Sequence, residues 1–259
     1  MTIYNKKSIS VVITSYESSE YISRSIKSVL NQTIQVDKII IVDDCSSDLE
    51  NLKKVLGIIN HNKATEIELL SNDKNRGPGF CRNLAWSKVN TEYLAFLDSD
   101  DIWEMDKLEK QLNIFLSHSN LSLVATAKDK KIKNFKTGLV NINIMLFRNI
   151  VPLSSVLIKS SVPYRFSERY YSEDYNLWLD LLFADLKIFL INDILCFENK
   201  ITFRKKLSSN YIFMTLETQK TLSKFFFKKK IYFFNILLAK IFELIKFFLR
   251  VIINNIKRD

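Results

Sequence analysis

Four strand-like runs, three of them almost wholly apolar, alternate along the first 120 residues with segments in which apolar residues recur every three or four positions. Unbroken apolar runs are typical of strands that are buried on both faces of a sheet, and the spaced segments are typical of amphipathic helices. The strands are predicted near 9–14, 38–42, 66–70 and 93–97, and the helices near 19–31, 48–60, 78–88 and 104–118. This alternation predicts an α/β fold with a mainly parallel sheet and helices on both of its faces.

The pattern is less regular over residues 120–205, where short apolar runs at 151–158 and 187–197 flank a helix that begins near Glu173. Composition supports one boundary, near 205–212. A chain of 259 residues has room for one large α/β domain and a smaller appendage. We therefore expect one domain over 1–205 and a separate helical tail over 206–259.

The tail carries the whole charge excess of the chain. Of 38 basic and 28 acidic residues, 13 and 3 lie between Arg204 and Asp259, so the rest of the chain has 25 of each. The spacing of charged and apolar residues in the tail predicts an amphipathic helix. The charged face consists of Lys240, Glu243, Lys246, Arg250 and Lys257, and the apolar face of Ile241, Leu244, Ile245, Phe248 and Ile252.

Two interpretations of the tail stay open. Its apolar stretches are shorter than the roughly 20 residues that a spanning helix needs. A basic, Phe-rich amphipathic helix favours an in-plane anchor on an anionic membrane leaflet. The alternative is a helix pair packed on the main domain. Nothing in the tail resembles a nucleic-acid module, so no nucleic-acid partner is expected.

The most informative polar segment is Asp98-Ser99-Asp100-Asp101, directly after the fourth strand. Three carboxylates at the end of a buried strand favour a site for Mg²⁺ or Mn²⁺, whose hard oxygen ligands include carboxylates and phosphates. The alternative is that one aspartate caps the next helix, with Ile102 and Trp103 as its first residues.

Polar residues also follow the first two strands, at Thr14–Glu17 and Asp43–Asp48. The segment 75–83 holds two of the four glycines of the chain, which indicates tight backbone geometry. In open α/β sheets ligands bind beyond the carboxyl ends of the strands. These segments are therefore expected to form one cleft.

In this order the motifs resemble those of family 2 glycosyltransferases with the GT-A fold, over roughly residues 8–205. The segments that carry the resemblance are Thr14-Ser15-Tyr16, Val42 to Asp48, Asn75 to Asn83, Leu97 to Asp101 and Ser172-Glu173-Asp174. The chain departs from the family in having Cys45 where Gly is usual and Cys81 where Ala is usual, and both replacements are small. The processive-synthase signature Gln-x-x-Arg-Trp is absent, which favours the addition of a single sugar.

The resemblance implies a catalytic domain with a nucleotide-sugar half, about 1–118, and an acceptor half, about 119–205. It implies that Asp100 binds Mn²⁺ or Mg²⁺ and that Asp98 binds the ribose, the metal or its water shell. Asp44 and Arg82 would contact the nucleobase, and Thr14, Tyr16 and Glu17 would provide contacts from the first strand. Asp174 would be the general base, with Glu173 as the alternative, and Arg204 would meet diphosphate oxygens.

The resemblance extends to bacterial O-antigen glucosyl- and galactosyltransferases. It implies an inverting enzyme that moves a hexose, glucose or galactose, from a UDP-sugar to a GlcNAc- or GalNAc-diphosphate-undecaprenol acceptor, in lipopolysaccharide or capsule synthesis. The expected linkage is β-1,3. UDP is favoured over GDP because an acidic residue accepts the N3–H of uracil.

Other functions were weighed. Within the family, the donor could be another nucleotide sugar or the acceptor another surface glycan. A nucleotidyltransferase would need a Gly-rich phosphate loop with a Lys after the first strand, and Thr14–Glu17 has neither. A non-catalytic membrane-associated binding protein is the third possibility. An odd number of cysteines, three, and an N-terminus without an apolar segment predict a location on the cytosolic side. With the basic tail and the resemblance, the expected location is the cytoplasmic face of the bacterial inner membrane, as a peripheral protein.

Overall fold

The computed structural model describes residues 8–59, 65–128, 130–198, 210–226 and 229–256. Strands and helices alternate through the first half, as the apolar pattern predicts. In chain order they are β1 (Ile9–Ser15), α1 (Ile22–Leu30), β2 (Lys38–Asp43), α2 (Leu49–Ile59), β3 (Glu66–Ser71), α3 (Pro78–Trp86), β4 (Tyr93–Asp98), β5 (Asp101–Trp103) and α4 (Lys107–Ser117).

The second half continues the same sheet. Its elements are β6 (Leu121–Ala127), α5 (Lys130–Lys133), β7 (Gly138–Leu139), α6 (Ile142–Phe147), a 3₁₀ turn at Leu153–Ser155, β8 (Leu157–Lys159), α7 (Glu173–Phe183), β9 (Lys187–Ile194) and β10 (Cys196–Glu198). Two further helices follow, α8 (Tyr211–Phe226) and α9 (Phe233–Ile256), with a 3₁₀ turn at Lys230–Tyr232 before α9.

Eight strands form one mixed sheet in the order β3-β2-β1-β4-β8-β6-β9-β7. The first four strands pair in parallel, as do β6 and β9, whereas β8 runs antiparallel to both β4 and β6 and β7 runs antiparallel to β9. The expected α/β class with a mainly parallel sheet is confirmed. The antiparallel strand β8 joins the two halves of the chain into one sheet.

One local expectation is wrong. Ile102 and Trp103 do not begin the helix after the aspartates, because they lie in β5, which pairs antiparallel with β10. The helix α4 begins later, at Lys107. Pairing with β10 satisfies backbone groups that the helix would otherwise have bonded, and the Trp103 indole N–H donates to the Ser154 carbonyl at 2.6 Å.

A hydrophobic core lies on each face of the sheet, because successive strand residues point to opposite sides. Val12, Leu94 and Phe96 face the core that contains Trp178, whereas Ile13 and Leu97 face the other core. Both faces are covered, so the strands are apolar throughout. Polar residues therefore concentrate at the strand ends.

The strand order reverses direction between β1 and β4, which is where open α/β sheets form a ligand crevice. Register brings Thr14 of β1 directly beside Asp98 of β4, and Ser15 beside Asp43 of β2. The polar segments after β1, β2 and β4 consequently meet at one edge of the sheet, as predicted.

The glycine-bearing loop before α3 needs both of its glycines. Gly77 has a φ of 84°, which side chains with a Cβ rarely adopt. A Cβ on Gly79 would lie 2.2 Å from the Ser167 carbonyl oxygen. Asn83 then exchanges two hydrogen bonds with the Phe166 backbone, at 2.9 and 3.0 Å. The helix α3 is thus docked closely against a segment from the second half of the chain.

The C-terminal helices pack on the α/β domain. Phe225 of α8 stacks on Phe183 of α7 with ring centroids 4.3 Å apart. Lys224 donates to both carboxylate oxygens of Asp180 at 2.6 Å. In α9, Ile236 and Ala239 are fully buried and belong to the same hydrophobic core as Trp178. The packed-pair interpretation therefore holds for α8 and for the first turns of α9.

The outer part of α9 has its apolar face turned away from the protein. Its exposed residues are Ile241, Leu244, Ile245, Phe248, Leu249, Ile252 and Ile253, each 44 to 61% exposed. Three of its charged residues, Lys240, Glu243 and Lys246, are half-buried, whereas Arg250 is exposed. Lys240 donates to Ser223 of α8 at 2.8 Å, and Glu243 pairs with Lys246. The predicted faces exist, but the polar one faces the domain; Lys257 lies outside the described residues.

Across the described part of the chain, no helix is both long and apolar enough to cross a bilayer.

Candidate active site

A cavity of about 590 Å³ opens at the carboxyl edge of the sheet. Its walls come from the ends of β1 and β4, the start of α3 and the start of α7, so both halves of the chain contribute. The volume lies within the range of small-molecule sites. Of the nine predicted site residues within the described ranges, eight line it: Thr14, Tyr16, Asp44, Arg82, Asp98, Asp100, Glu173 and Asp174.

The three aspartates after β4 form a tight cluster. One carboxylate oxygen from each of Asp98, Asp100 and Asp101 lies within 4.8 Å of the others. Burial raises the pKa of Asp101 to about 6 despite the nearby Lys128, and the charge of Asp98 adds to this rise. Within the described ranges, the buried Oδ1 of Asp101 has no hydrogen-bond partner. Clustered oxygen donors and an unsatisfied buried oxygen fit a divalent cation.

Two residues that the sequence analysis missed hold this cluster in place. Lys128, directly after β6, donates to Asp101 Oδ2 at 2.5 Å. Ser154 donates to the same oxygen and accepts the backbone N–H of Asp98 at 3.1 Å. Both lie in the irregular second half, where no periodic signal marked them. Proximity to a strand end, at Lys128, was the one available clue.

Arg82 of α3 lies between the acidic cluster and α7. Its guanidinium donates to Asp98 at 2.9 Å and to Glu173 at 2.5 Å, and its side chain is only 6% exposed. Burial alone would raise the pKa of Asp98, but Arg82 and Lys128 hold it below the usual range for aspartate. Arg82 was predicted to contact a nucleobase; its observed contacts are with these two carboxylates.

The adjacent acids at the start of α7 have different surroundings. Glu173 is paired with Arg82, and burial nevertheless raises its pKa to about 7. Asp174 faces no cation at ion-pair distance among the described residues: Asn149 donates to Oδ2 at 3.2 Å and the Tyr175 backbone N–H to Oδ1 at 2.6 Å. Burial raises the pKa of Asp174 above its ordinary value. Glu173 is thus engaged by Arg82, and Asp174 is the carboxylate more available to a bound hydroxyl.

The capping alternative for this segment has little support. Ser172 occupies the N-cap position of α7 in the left-handed region, and its side chain makes no capping hydrogen bond. Its hydroxyl lies 3.2 Å from that of Thr218 in α8. The acids of the first turn still suit the helix dipole.

Asp44 organises the glycine-bearing loop while it lines the cavity. Its carboxylate accepts the backbone N–H groups of Arg76 and Gly77, each at 2.8 Å, and the side-chain amide of Asn72 at 2.8 Å. Tyr170 covers the same loop, with its hydroxyl donating to Asn75 Oδ1 at 2.7 Å. Tyr170 was not predicted from the sequence.

Among the predicted site residues that the structure describes, Glu17 alone does not line the cavity. Its carboxylate accepts the backbone N–H of Ser47 at 2.7 Å and the Ser47 hydroxyl at 2.8 Å. The residue has a φ of 50°. It connects the loops after β1 and β2. Arg204 lies outside the described residues.

The chain was compared with known proteins. The family model for glycosyl transferase family 2 matches residues 10–176. Escherichia coli WfgD, a UDP-Glc:alpha-D-GlcNAc-diphosphoundecaprenol beta-1,3-glucosyltransferase, is 31% identical over 210 residues, which cover 78% of this chain and 80% of WfgD. The chain spans 44% of the length of two further curated relatives, at 38 and 39% identity.

Two solved structures share the fold. S. aureus TarS 1–349 in complex with UDP-GlcNAc superposes with a TM-score of 0.69 at 17% identity, over 85% of this chain and 66% of that one. Mannosyltransferase PcManGT from Pyrobaculum calidifontis, in complex with GDP-Man and Mn²⁺, superposes with a TM-score of 0.67 at 15% identity, over 85% and 64%. At these identities the likeness concerns the fold alone.

Arg82 supports a testable prediction about stability. Arg82→Met leaves the buried Glu173 and the half-buried Asp98 without this cation. We expect a loss of about 3 kcal/mol in the free energy of unfolding, the lower end of the range for a broken buried pair. Adding Asp98→Asn and Glu173→Gln removes the uncompensated charges and should restore most of the loss. Denaturant unfolding measures both. Arg165→Met is the control, because Arg165 bonds backbone carbonyls and lies over the Trp86 ring but pairs with no carboxylate among the described residues. Equal losses in all three variants would contradict the prediction.

Proposed function

This chain belongs to glycosyl transferase family 2, and from that premise we propose that it transfers a hexose, glucose or galactose, from a UDP-sugar to a GlcNAc- or GalNAc-diphosphate-undecaprenol acceptor. The proposed product has a β-1,3 linkage and serves the assembly of O-antigen lipopolysaccharide or capsule. The observation that carries the proposal is that Asp98 and Asp100 of the three-aspartate cluster line the same cavity as Asp174.

The donor half of the cavity suits a nucleoside diphosphate. Thr14 and Tyr16 line it at the end of β1, and Asp44 lines it beside the glycine-bearing loop. A carboxylate has about four lone-pair positions, and Asp44 uses three of them within the protein. The remaining capacity can accept the N3–H of uracil, which favours UDP. Glu17 contributes indirectly, because it holds the loops that carry Tyr16 and Asp44 in place.

The donor set fits Mn²⁺ or Mg²⁺. Asp100 and Asp98 would hold the ion, with Asp101 beneath them as a buried neighbour fixed by Lys128. A bound divalent cation supplies Lewis-acid neutralisation of the departing diphosphate. Arg82, in contact with Asp98, keeps one of the two carboxylates in position.

Asp174 takes the proton from the attacking acceptor hydroxyl. As the hydroxyl oxygen forms its bond to the sugar C1, the bond from C1 to the diphosphate oxygen breaks, and the proton passes to the Asp174 carboxylate. A single displacement inverts C1, so an α-linked donor gives a β-linked product. Glu173 is committed to Arg82 and serves to position α7.

The outer face of α9 suits an anionic membrane surface. Seven large apolar side chains lie side by side on the solvent side, and contiguous exposed patches of this kind mark interaction surfaces. The sequence places the whole net charge of +10 between Arg204 and Asp259. Basic residues near an anionic leaflet contribute roughly 1 kcal/mol each. A lipid-linked acceptor would lie in that same leaflet.

The metal assignment predicts that Asp100→Ala abolishes transfer, since it removes an ion ligand and little core volume. Mn²⁺ binding should weaken in the same variant, as followed by isothermal titration calorimetry, and a chelator should silence the wild type. Asp193→Ala, an exposed acid on β9, should leave binding and transfer unchanged. Full activity in the presence of chelator would remove the metal from the proposal.

The base assignment predicts that Asp174→Asn slows transfer by on the order of 10²–10⁴-fold. Binding of UDP should stay nearly the same, because the side chain acts on the acceptor. Because the pKa of Asp174 is raised, its carboxylate takes up a proton at a higher pH than an ordinary aspartate does. As the pH is lowered, the transfer rate should therefore begin to fall at that higher pH. A larger defect in Glu173→Gln would assign the base to Glu173. If the wild type were inactive with every UDP-sugar tested, the alternative of a non-catalytic membrane protein would be favoured.

The membrane assignment predicts that Ile245→Ser with Phe248→Ser reduces binding to phosphatidylglycerol vesicles by at least about tenfold, because each side chain loses apolar burial. Point substitutions are preferable to truncation, since Phe225, Ile236 and Ala239 belong to the core. Ile58→Ser is the control, because Ile58 is 74% exposed on α2. Vesicle binding that is unchanged in the double variant would contradict the assignment. So would a wild type that is a dimer in solution and that the double substitution dissociates.

A further inference from the structure

A second cavity, of about 890 Å³, lies between α6 and α9, apart from the candidate active site. The two helices meet through the Phe147 and Phe242 rings, with centroids 5.9 Å apart, and through a hydrogen bond of 2.8 Å from Asn235 to Asn143. Beside these contacts they diverge, and the cavity opens. Nothing in the proposed transfer step uses it.

The lining of this cavity is cationic. Arg148, Lys246 and Arg250 line it together with phenylalanine and asparagine side chains, and no carboxylate is among the described lining residues. Lys246 pairs with Glu243. Throughout the described ranges, neither Arg148 nor Arg250 has a carboxylate within ion-pair distance. Three cations gathered with one acid leave an excess positive charge that a bound anion would offset.

The cavity is connected to the proposed base along the chain. Asn149, which donates to Asp174 at 3.2 Å, directly follows Arg148. The Tyr175 hydroxyl, one residue beyond Asp174, donates to the Leu146 carbonyl at the end of α6. The segment that contacts Asp174 and the segment that lines the cavity are thus one short piece of chain.

The two cations that α9 contributes to the cavity are next in sequence to residues of its apolar outer face. Lys246 and Arg250 alternate along the helix with Ile245, Phe248 and Leu249, which are at least half exposed. A ligand with a charged head and an apolar chain could therefore place its head among the cations and its chain along the outer face.

We propose that this cavity binds the diphosphate of a polyprenyl-linked sugar acceptor, with Arg148, Lys246 and Arg250 as the phosphate ligands. The inference rests on the proposed function, and it identifies the residues by which the enzyme would recognise the diphosphate of its acceptor. One hexose separates the attacked hydroxyl from the first phosphate, so the diphosphate must lie close to Asp174. Guanidinium groups bind phosphate oxygens through paired hydrogen bonds, and the phenylalanine walls suit the first isoprene units.

The test uses the full chain and two acceptors, a GlcNAc-diphosphate-lipid and the corresponding monophosphate. Arg148→Gln and Arg250→Gln should each raise KM for the diphosphate acceptor about tenfold or more, since hydrogen bonds to charged groups are the stronger class. The preference for diphosphate over monophosphate should shrink. KM for the UDP-sugar and its hydrolysis rate should not change. Lys88→Gln is the control, because it removes one exposed charge in the turn after α3, and Lys88 lines neither cavity.

A binding assay separates this inference from the proposed function. Titration of the wild type and the variants with undecaprenyl diphosphate in detergent needs no transfer. If the wild type transfers no sugar but binds this lipid in an Arg148-dependent way, the proposed function fails and the cavity assignment stands.

Unchanged KM and unchanged lipid affinity in folded variants would overturn the assignment. So would a loss of phosphatidylglycerol vesicle binding with normal KM, because the cations would then serve the phospholipid surface. Arg148→Lys, which keeps the charge, should recover part of the affinity, and thermal unfolding should confirm that each variant is folded.

Discussion

The buried guanidinium of Arg82 is the contact on which the site depends. It joins Asp98 at the end of β4 to Glu173 at the start of α7, across 91 residues of sequence in the second case. A buried charge triad adds little net stability, but the loss of one member leaves uncompensated charges that are strongly unfavourable. The interaction therefore fixes relative position: the edge of the sheet that carries the aspartates cannot move away from α7 without exposing a broken pair. Glu173 is engaged by Arg82 in this contact. Its neighbour Asp174, which among the described residues bonds only to neutral donors, lines the cavity.

The sequence predicts which residues reach this cleft, because parallel strands deliver their carboxyl ends to one edge whatever the details of packing. Thr14, Asp44 and the Asp98–Asp101 segment were placed on that argument, and the cavity is lined by Thr14, Asp44 and residues 98–100, with Asp101 buried beside them. The partners of these residues could not be predicted. Lys128 and Ser154 bind Asp101 from irregular segments, and Arg82 turns to carboxylates instead of solvent, because the approach of α3 to residues 166–169 is a tertiary contact without a periodic signature. The strand β5 was missed for the same reason: its partner β10 lies almost a hundred residues further along the chain.

The tail illustrates a different limit. A spacing of three and four residues determines that α9 has a charged and an apolar face, but it does not determine which face docks. In water an isolated domain would bury the apolar face. Here the first turns do so, through Ile236 and Ala239, and the remainder is turned the other way. Charged residues that face inward find polar partners nearby: Lys240 donates a hydrogen bond to Ser223, and Glu243 forms an ion pair with Lys246.

This inverted arrangement gives the two faces of α9 complementary roles in the proposed reaction. An apolar outer face lying in a leaflet sets the depth of the helix, and thereby the height of the cations on its inner side above the acyl chains. A diphosphate-linked lipid presents its charged group just outside that same acyl region. The cations of α9 and the end of α6 would then meet the diphosphate without withdrawing the lipid from the membrane. Asn149, next in the chain after Arg148, donates to Asp174, so a diphosphate held by Arg148 would place its sugar near the group proposed to deprotonate it.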